Sequence, residues 1–244
     1  MHRDQYGNLR VRGPGDVAPV QLCWSDDTAV AFDKPTGLLA HNSAFAGPRE
    51  WTLVQAAQRS LGHKVGLMHR LDRGTSGLVL MARTTEHAAQ WQAALEAGQK
   101  RYLAVVRGKL ESTLDIDHPV REPAGARSEA QTTMRPLQQS PTERCTLVEL
   151  TLHTGRWRQA RQHASHANHP IVGDMDLGDR KFNRDLMART GLERMVLHAW
   201  RLELVHPLTG EAMLLEAPLP ADLLPFLAAV GLDAPPLLAP AGSE

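Results

Sequence analysis

At 244 residues, 42% hydrophobic and 22% charged, the chain can bury a sizeable core as one large domain or two small ones. Twenty-seven basic residues balance 27 acidic ones, so any nucleic acid would have to be held by a local basic patch rather than by overall charge. Cys23 and Cys145 are the only cysteines, far apart and at no metal spacing, which excludes a disulfide framework and suits a reducing compartment. The opening MHRDQYGNLRVRGPGD holds no apolar h-region and no run of about 18 apolar residues follows, so we read a cytoplasmic protein with no membrane partner.

Residues 1–19, rich in Gly, Arg and Asp, read as an N-terminal extension, 20–228 as one catalytic unit, and 229–244 as a C-terminal tail. Thr52 and Gln55 form a capping-box pattern ahead of a stripe of Val54, Ala57 and Leu61 that Gly62 closes. A second helix is expected over 85–97, with Ala88, Trp91, Ala94 and Leu95 inward and Gly98 just past its end. Strand-like runs occur at 78–82, 102–108, 146–152 and 201–205; in the third, Val148, Leu150 and Leu152 share one side. The last leads into a hairpin-length turn, His206-Pro207-Leu208-Thr209-Gly210. Short strands interleaved with a few helices predict an α/β fold of the α+β type, with a mixed, mainly antiparallel central sheet, flanking helices and a catalytic cleft. Without long heptads or large apolar runs, a monomer is the simplest expectation.

Two charged constellations stand out. In HRLDRGTSG, residues 69–77, Asp72 lies between Arg70 and Arg73, ahead of a Thr-Ser-Gly turn that runs into LVLMA. Neighbouring guanidinium groups favour the ionised form of a carboxylate, and the apolar run puts Asp72 at the mouth of a buried strand. That makes it a candidate nucleophile or base. In GRWRQARQH, residues 155–163, a helix starting near Trp157 would put Arg158 and Arg161 on one face and Ala160, Ala164 and Ala167 on another. The basic face is either a phosphate and base contact surface or a solvated face paired with neighbouring acids. His163, His166 and His169 lack an acidic or cysteine ligand to complete a zinc set, and His169-Pro170 ends the helix, so capping, packing or RNA contact is expected instead.

HRLDRGTSG, followed by KRYLAVVRG and TGRWRQARQHASHANHPIVGD and preceded by DDTAVAFDKPTGLLAH, resembles the RluA family of RNA pseudouridine synthases across about residues 20–218. The words Gly173-Asp174, Gly178-Asp179, Asn183-Arg184 and GLERMVLHAWRLELVHPLTGE look most like the branch that acts on tRNA, so tRNA is the expected partner, with ribosomal RNA the alternative. The resemblance implies that Asp72 is the catalytic carboxylate and that Tyr102 stacks on the target uracil. It also implies that Arg161 pairs with Asp72 and that Arg70 helps displace the flipped base. Arg73, Lys34, Arg156, Arg158 and Gln159 are the further expected RNA contacts. The family commonly has His where this chain has Arg158, Ile or Leu at Ala160, and, in the tRNA branch, often His at Leu177.

The implied chemistry breaks a glycosidic bond, rotates uracil and rejoins it through carbon. It has no net redox and no hydrolysis, so neither cofactor nor metal is expected. Two other readings compete: an RNA-binding or folding module with incidental catalysis, and a carboxylate-based glycoside hydrolase. The hydrolase would need a second acid opposite Asp72, for which Asp174 is the only nearby candidate in these motifs.

Overall fold

The computed structural model describes residue 11 and residues 15–16, 20–42 and 50–237. In chain order its elements are β1 (Gln21–Ser25), β2 (Ala29–Lys34), α1 (Leu53–Leu61), β3 (Gly66–Leu67), β4 (Ser76–Ala82), α2 (Ala88–Ala97), β5 (Gln99–Arg107) and β6 (Leu114–Asp117). Then come β7 (Val120–Arg121), β8 (Arg127–Ser128), β9 (Gln131–Gln139), β10 (Cys145–Leu152), α3 (Gln159–His166), α4 (Arg180–Thr190), β11 (Leu197–Val205), β12 (Ala212–Glu216) and α5 (Leu224–Ala229). No helix among the described residues is long and apolar enough to cross a membrane.

The apolar runs assemble into one ten-stranded sheet in the order β1-β2-β4-β11-β5-β10-β9-β6, with β12 added to β11 and β3 to β4. Its pairings are antiparallel except that of β4 with β11, which gives the mixed, mainly antiparallel α/β architecture expected. β4 is buried on both faces. Its Leu78 and Leu80 meet Trp91 and Leu95 of α2, while Val79 and Met81 meet Leu53 and Ala57 of α1. β10 divides the same way: Val148, Leu150 and Leu152 pack with Ala160 and Ala164 of α3, and Leu147 with Leu186 of α4 and Phe226 of α5. The period of two along each strand thus supplies apolar clusters to both faces of the sheet, two on each.

Local signals behave as their chemistry demands. Thr52 and Gln55 make the reciprocal capping box, and Gly62 closes α1 in the left-handed conformation. α2 starts at Ala88, later than the expected residue 85, with His87 at its N-cap making no side-chain cap bond. α3 starts at Gln159 rather than near Trp157, since Arg158 takes a left-handed backbone (φ 52°, ψ 28°) that a helix cannot continue. Packing also runs past the expected boundaries. Val11 contributes its side chain to the core and its carbonyl accepts the Trp51 N–H, and Val230 and Leu232, beyond 228, are buried against α5. Most of the expected extension, and the tail from 238, lie outside the described residues.

The three histidines near α3 act in packing. His163 hydrogen-bonds Thr132 and the His118 carbonyl, His166 stacks on His118 at 3.7 Å between ring centroids, and His169 bonds the Arg107 carbonyl.

Candidate active site

The segment ahead of β4 carries Asp72 in a turn held from every side. The Thr75 N–H closes the turn on the Asp72 carbonyl at 3.1 Å, and the Gly37 N–H and Thr36 hydroxyl reach the Arg73 and Gly74 carbonyls at 2.8 and 3.1 Å. The His69 ring is turned inward, and its Nε2 accepts the Leu80 N–H at 2.9 Å. Gly77 starts the strand at φ 110° with Ala199 of β11 so close that a Cβ there would lie 2.2 Å from the Ala199 carbonyl oxygen. Only glycine permits that approach. Beside it, Ser76 and His198, aligned across the parallel pairing of β4 with β11, are joined at 2.9 Å. His198 Nε2 serves the Ala217 carbonyl, so Nδ1 accepts the Ser76 hydroxyl proton.

Register explains why Tyr102 is adjacent. Lys34 on β2 pairs with Gly77, Gly77 with Ala199, Ala199 with Tyr102 on β5, and Tyr102 with Leu150 on β10. Tyr102 therefore sits two strands from the root of the Asp72 turn, packed against the cores on either side. Burial, and then the negative charge of Asp72, push its phenol well above the usual tyrosine range. It is a neutral ring at physiological pH.

Arg161 reaches the same place from α3. Its Nη1 donates to Asp72 Oδ2 at 2.8 Å, while Nε and Nη2 grip Asp174 Oδ2 and Oδ1 at 2.7 and 2.9 Å. Burial works against the Arg161 charge, but Asp174 and then Asp72 outweigh it and hold the guanidinium firmly protonated. Asp174 is 3% exposed and accepts the Asp176 and Leu177 N–H groups as well, so despite burial its carboxyl stays below the usual range. Its turn depends on Gly173, where a Cβ would meet the Arg194 carbonyl oxygen at 2.1 Å, and on Asn183, whose side chain bonds the Gly173 N–H and the Asp174 carbonyl.

The other expected site residues divide. Arg70 and Arg156 are exposed, and Arg156 Nε donates to the Glu129 carbonyl at 3.2 Å. Arg158 lies over the Trp157 ring at 4.5 Å, pairs with Asp176, and brings its Nε to 3.9 Å from Asp72. The basic face expected on α3 is thus neither open nor solvated: an acidic cluster of Asp72, Asp174 and Asp176 takes up both arginines.

Three of the expected RNA contacts are engaged inside the fold. Lys34 is fully buried, and its ammonium bonds the carbonyls of Pro35, Leu38 and Arg73 at 3.0, 2.8 and 3.3 Å, so it braces the Asp72 turn from beneath. Burial lowers its pKa to about 7. Arg73 forms a two-pronged pair with buried Glu50, and Gln159 is buried between Thr132, Thr154 and backbone groups of Gln131 and Arg156. Sequence reasoning missed Asp174 as a holder of Arg161; its signal was the Gly-Asp word, where glycine lets a chain turn tightly enough to bury the acid. The same contacts remove the hydrolase reading, because both Asp174 oxygens face Arg161 and backbone amides rather than the cleft.

A mixed sheet with a carboxylate, a buried guanidinium and a neutral phenol converging at its central strands suits base chemistry on a nucleotide. The chain belongs to the RNA pseudouridylate synthase family, whose pattern matches residues 28–166. It is an isomerase that turns uridine in RNA into pseudouridine. It is 33% identical over 234 residues to tRNA pseudouridine synthase C of Salmonella typhi, covering 87% of this chain and 90% of that protein. It is also 35% identical over 234 residues to ribosomal large subunit pseudouridine synthase D of Nitrosomonas europaea, covering 88% of this chain and 66% of the other. Among solved structures, Human RNA Pseudouridylate Synthase Domain Containing 4 superposes with a TM-score of 0.71 at 26% identity, covering 88% of this chain and 94% of that one. Human RNA Pseudouridylate Synthase Domain Containing 1 shares the fold at the same TM-score and 24% identity, with 94% of each chain covered.

Proposed function

We propose that this enzyme isomerises a particular uridine of tRNA, with Asp72 as its catalytic carboxylate, and that it works as a cytoplasmic monomer. The observation that carries the role of Asp72 is its 2.8 Å bond to Arg161 in a turn that leaves the carboxylate partly open to the cleft. The choice of tRNA is supported by relatives named tRNA pseudouridine synthase C that match most of the chain.

In this reading the target nucleotide leaves its stack, at a cost of a few kcal/mol, and enters beside Tyr102. Tyr102 offers a stacking face, and Arg70, exposed at the lip, replaces the lost base. Asp72 acts on the sugar or the base, by covalent attack or by taking a ribose proton. The bond from C1′ to N1 breaks, uracil rotates, C5 bonds to C1′, the C5 proton leaves and N1 takes up a proton, so the uridine is isomerised with no net change in atoms. Every atom of the uridine is retained except that exchanged proton. Arg161 holds the carboxylate in place and supplies its counter-charge.

Tritium release from tRNA labelled at uracil C5 tests the chemistry. Wild type should release tritium and Asp72→Ala should not; equal release from both would remove Asp72 from the reaction. Mapping pseudouridine in tRNA and ribosomal RNA of a deletion strain tests the substrate. A site lost from ribosomal RNA alone would replace the tRNA reading and leave the chemistry intact.

A further inference from the structure

β7 and β8 form a two-stranded ribbon apart from the main sheet. Val120 is buried, so alternation along the strand turns Arg121 to solvent, and Arg127, directly opposite it, is exposed too. Two like charges facing each other across an antiparallel pair weaken it. No carboxylate of the described residues forms an ion pair with either guanidinium, although other arginines on this surface, such as Arg107 and Arg189, are matched to Asp179 and Glu143. The facing arginines therefore cost stability and return none within the folded chain.

The ribbon is also held in register with the active site. Gln162, the residue after Arg161, accepts the Arg121 N–H at 2.9 Å and donates to the Arg121 carbonyl at 3.0 Å. His163 bonds the His118 carbonyl at 2.8 Å ahead of the ribbon, and Arg156 bonds the Glu129 carbonyl behind it. Three residues of α3 and its approach thus fasten a pair of unmatched positive charges one residue along from the guanidinium that holds Asp72. A chain with no net charge must grip a polyanion locally, and phosphates are the counter-charge this pair lacks.

We propose that the ribbon Val120–Ser128 is a phosphate clamp, in which Arg121 and Arg127 grip the RNA backbone flanking the target nucleotide, outside the uridine cleft. The clamp rests on the chain being an RNA isomerase and adds a second binding surface to it. The grip is on the backbone, so it positions the strand without reading its sequence.

The test compares wild type with Arg121→Ala/Arg127→Ala and with Arg121→Lys/Arg127→Lys, using unmodified tRNA transcripts. In the alanine pair KM should rise about tenfold at unchanged kcat, and the dependence of log affinity on log salt should flatten by roughly 0.7–0.9 for each phosphate that is no longer neutralised. The lysine pair should keep the wild-type salt slope. The melting midpoint of the alanine pair should stay level or rise, because a repulsion has been removed. Unchanged KM and salt slope would overturn the clamp, and so would a weaker affinity that travels with a lowered melting midpoint, which marks a structural role. Loss of tritium release in Asp72→Ala tests the isomerase reading whatever the arginine pair does, so failure of the clamp is separable from failure of that reading.

Discussion

Arg161 grips Asp174 with two nitrogens and reaches Asp72 with a third, so a single guanidinium ties a buried carboxylate to a partly exposed one. Asp174 fixes the plane of the fork, and the plane decides where the third nitrogen points. Asp174→Asn keeps the shape and an oxygen for the Asp176 and Leu177 amides but removes the charge. We expect it to lower kcat strongly with little change in KM, and to cost on the order of 3–5 kcal/mol in urea unfolding, as for other broken buried pairs. Arg161→Lys should share the loss of kcat, since a point charge cannot serve both acids. A kcat that survives Asp174→Asn would show that Arg161 needs no holder.

Gly77 makes a second, steric prediction. Gly77→Ala would push a methyl group into the Ala199 carbonyl and pull β4 from β11 where the two strands run parallel. The expected cost is more than about 1 kcal/mol in stability. Activity should fall further than stability explains, because the Asp72 turn hangs from this point. Denaturation midpoints and tritium release on the same preparation separate the two effects.

His69 and His198 predict an acid limb. Burial holds both near pKa 4 in the folded protein, with Lys100 adding to the effect at His69 and Arg194 at His198. The unfolded chain takes up their protons near the ordinary value of 6.5, so stability is complete above about pH 6.5 and is lost as pH falls towards 4. Each contributes a slope of up to about 1.4 kcal/mol per pH unit in that window. His198→Gln should remove one such contribution, read from urea midpoints across the pH range; an unaltered acid limb would exclude His198 as a source.

Lys34 works at the other end of the scale. Burial lowers its pKa from 10.5 to about 7, so between those values the unfolded chain holds a proton that the folded chain lacks. Stability from this group therefore rises with pH from about 7 and levels off near 10.5, again with a slope of up to about 1.4 kcal/mol per pH unit. Lys34→Met should flatten that rise, as urea midpoints between those two pH values would show. It should also lower kcat, since the carbonyls of Pro35, Leu38 and Arg73 lose their common donor beneath the Asp72 turn.

The legible parts of this protein are those whose signals are local. The Thr52 capping box, the Gly62 and Gly98 ends, the four apolar runs and the turn bearing Asp72 all depend on neighbours a few residues away, and the folded chain keeps them. Arg158 shows where locality fails: helical spacing put it on a face with Arg161, but its left-handed backbone leaves it ahead of the helix, which starts at Gln159. Both arginines still arrive near Asp72, by different routes.

By itself the sequence determined four of the strands, the capping box of α1, the glycine ends of α1 and α2 and the placing of one aspartate between arginines ahead of a buried strand, because backbone propensity and hydrophobic period act within a turn or two of chain. Only the tertiary structure decided which charges meet. Asp72 and Arg161 are 89 residues apart, Arg73 finds Glu50 across 23, and Lys34 looks like a surface cation until β2 is covered on both sides. Charge partners and burial follow from the meeting of distant segments, and a carboxylate or an amine carries no mark in its own neighbourhood of what the fold will bring against it.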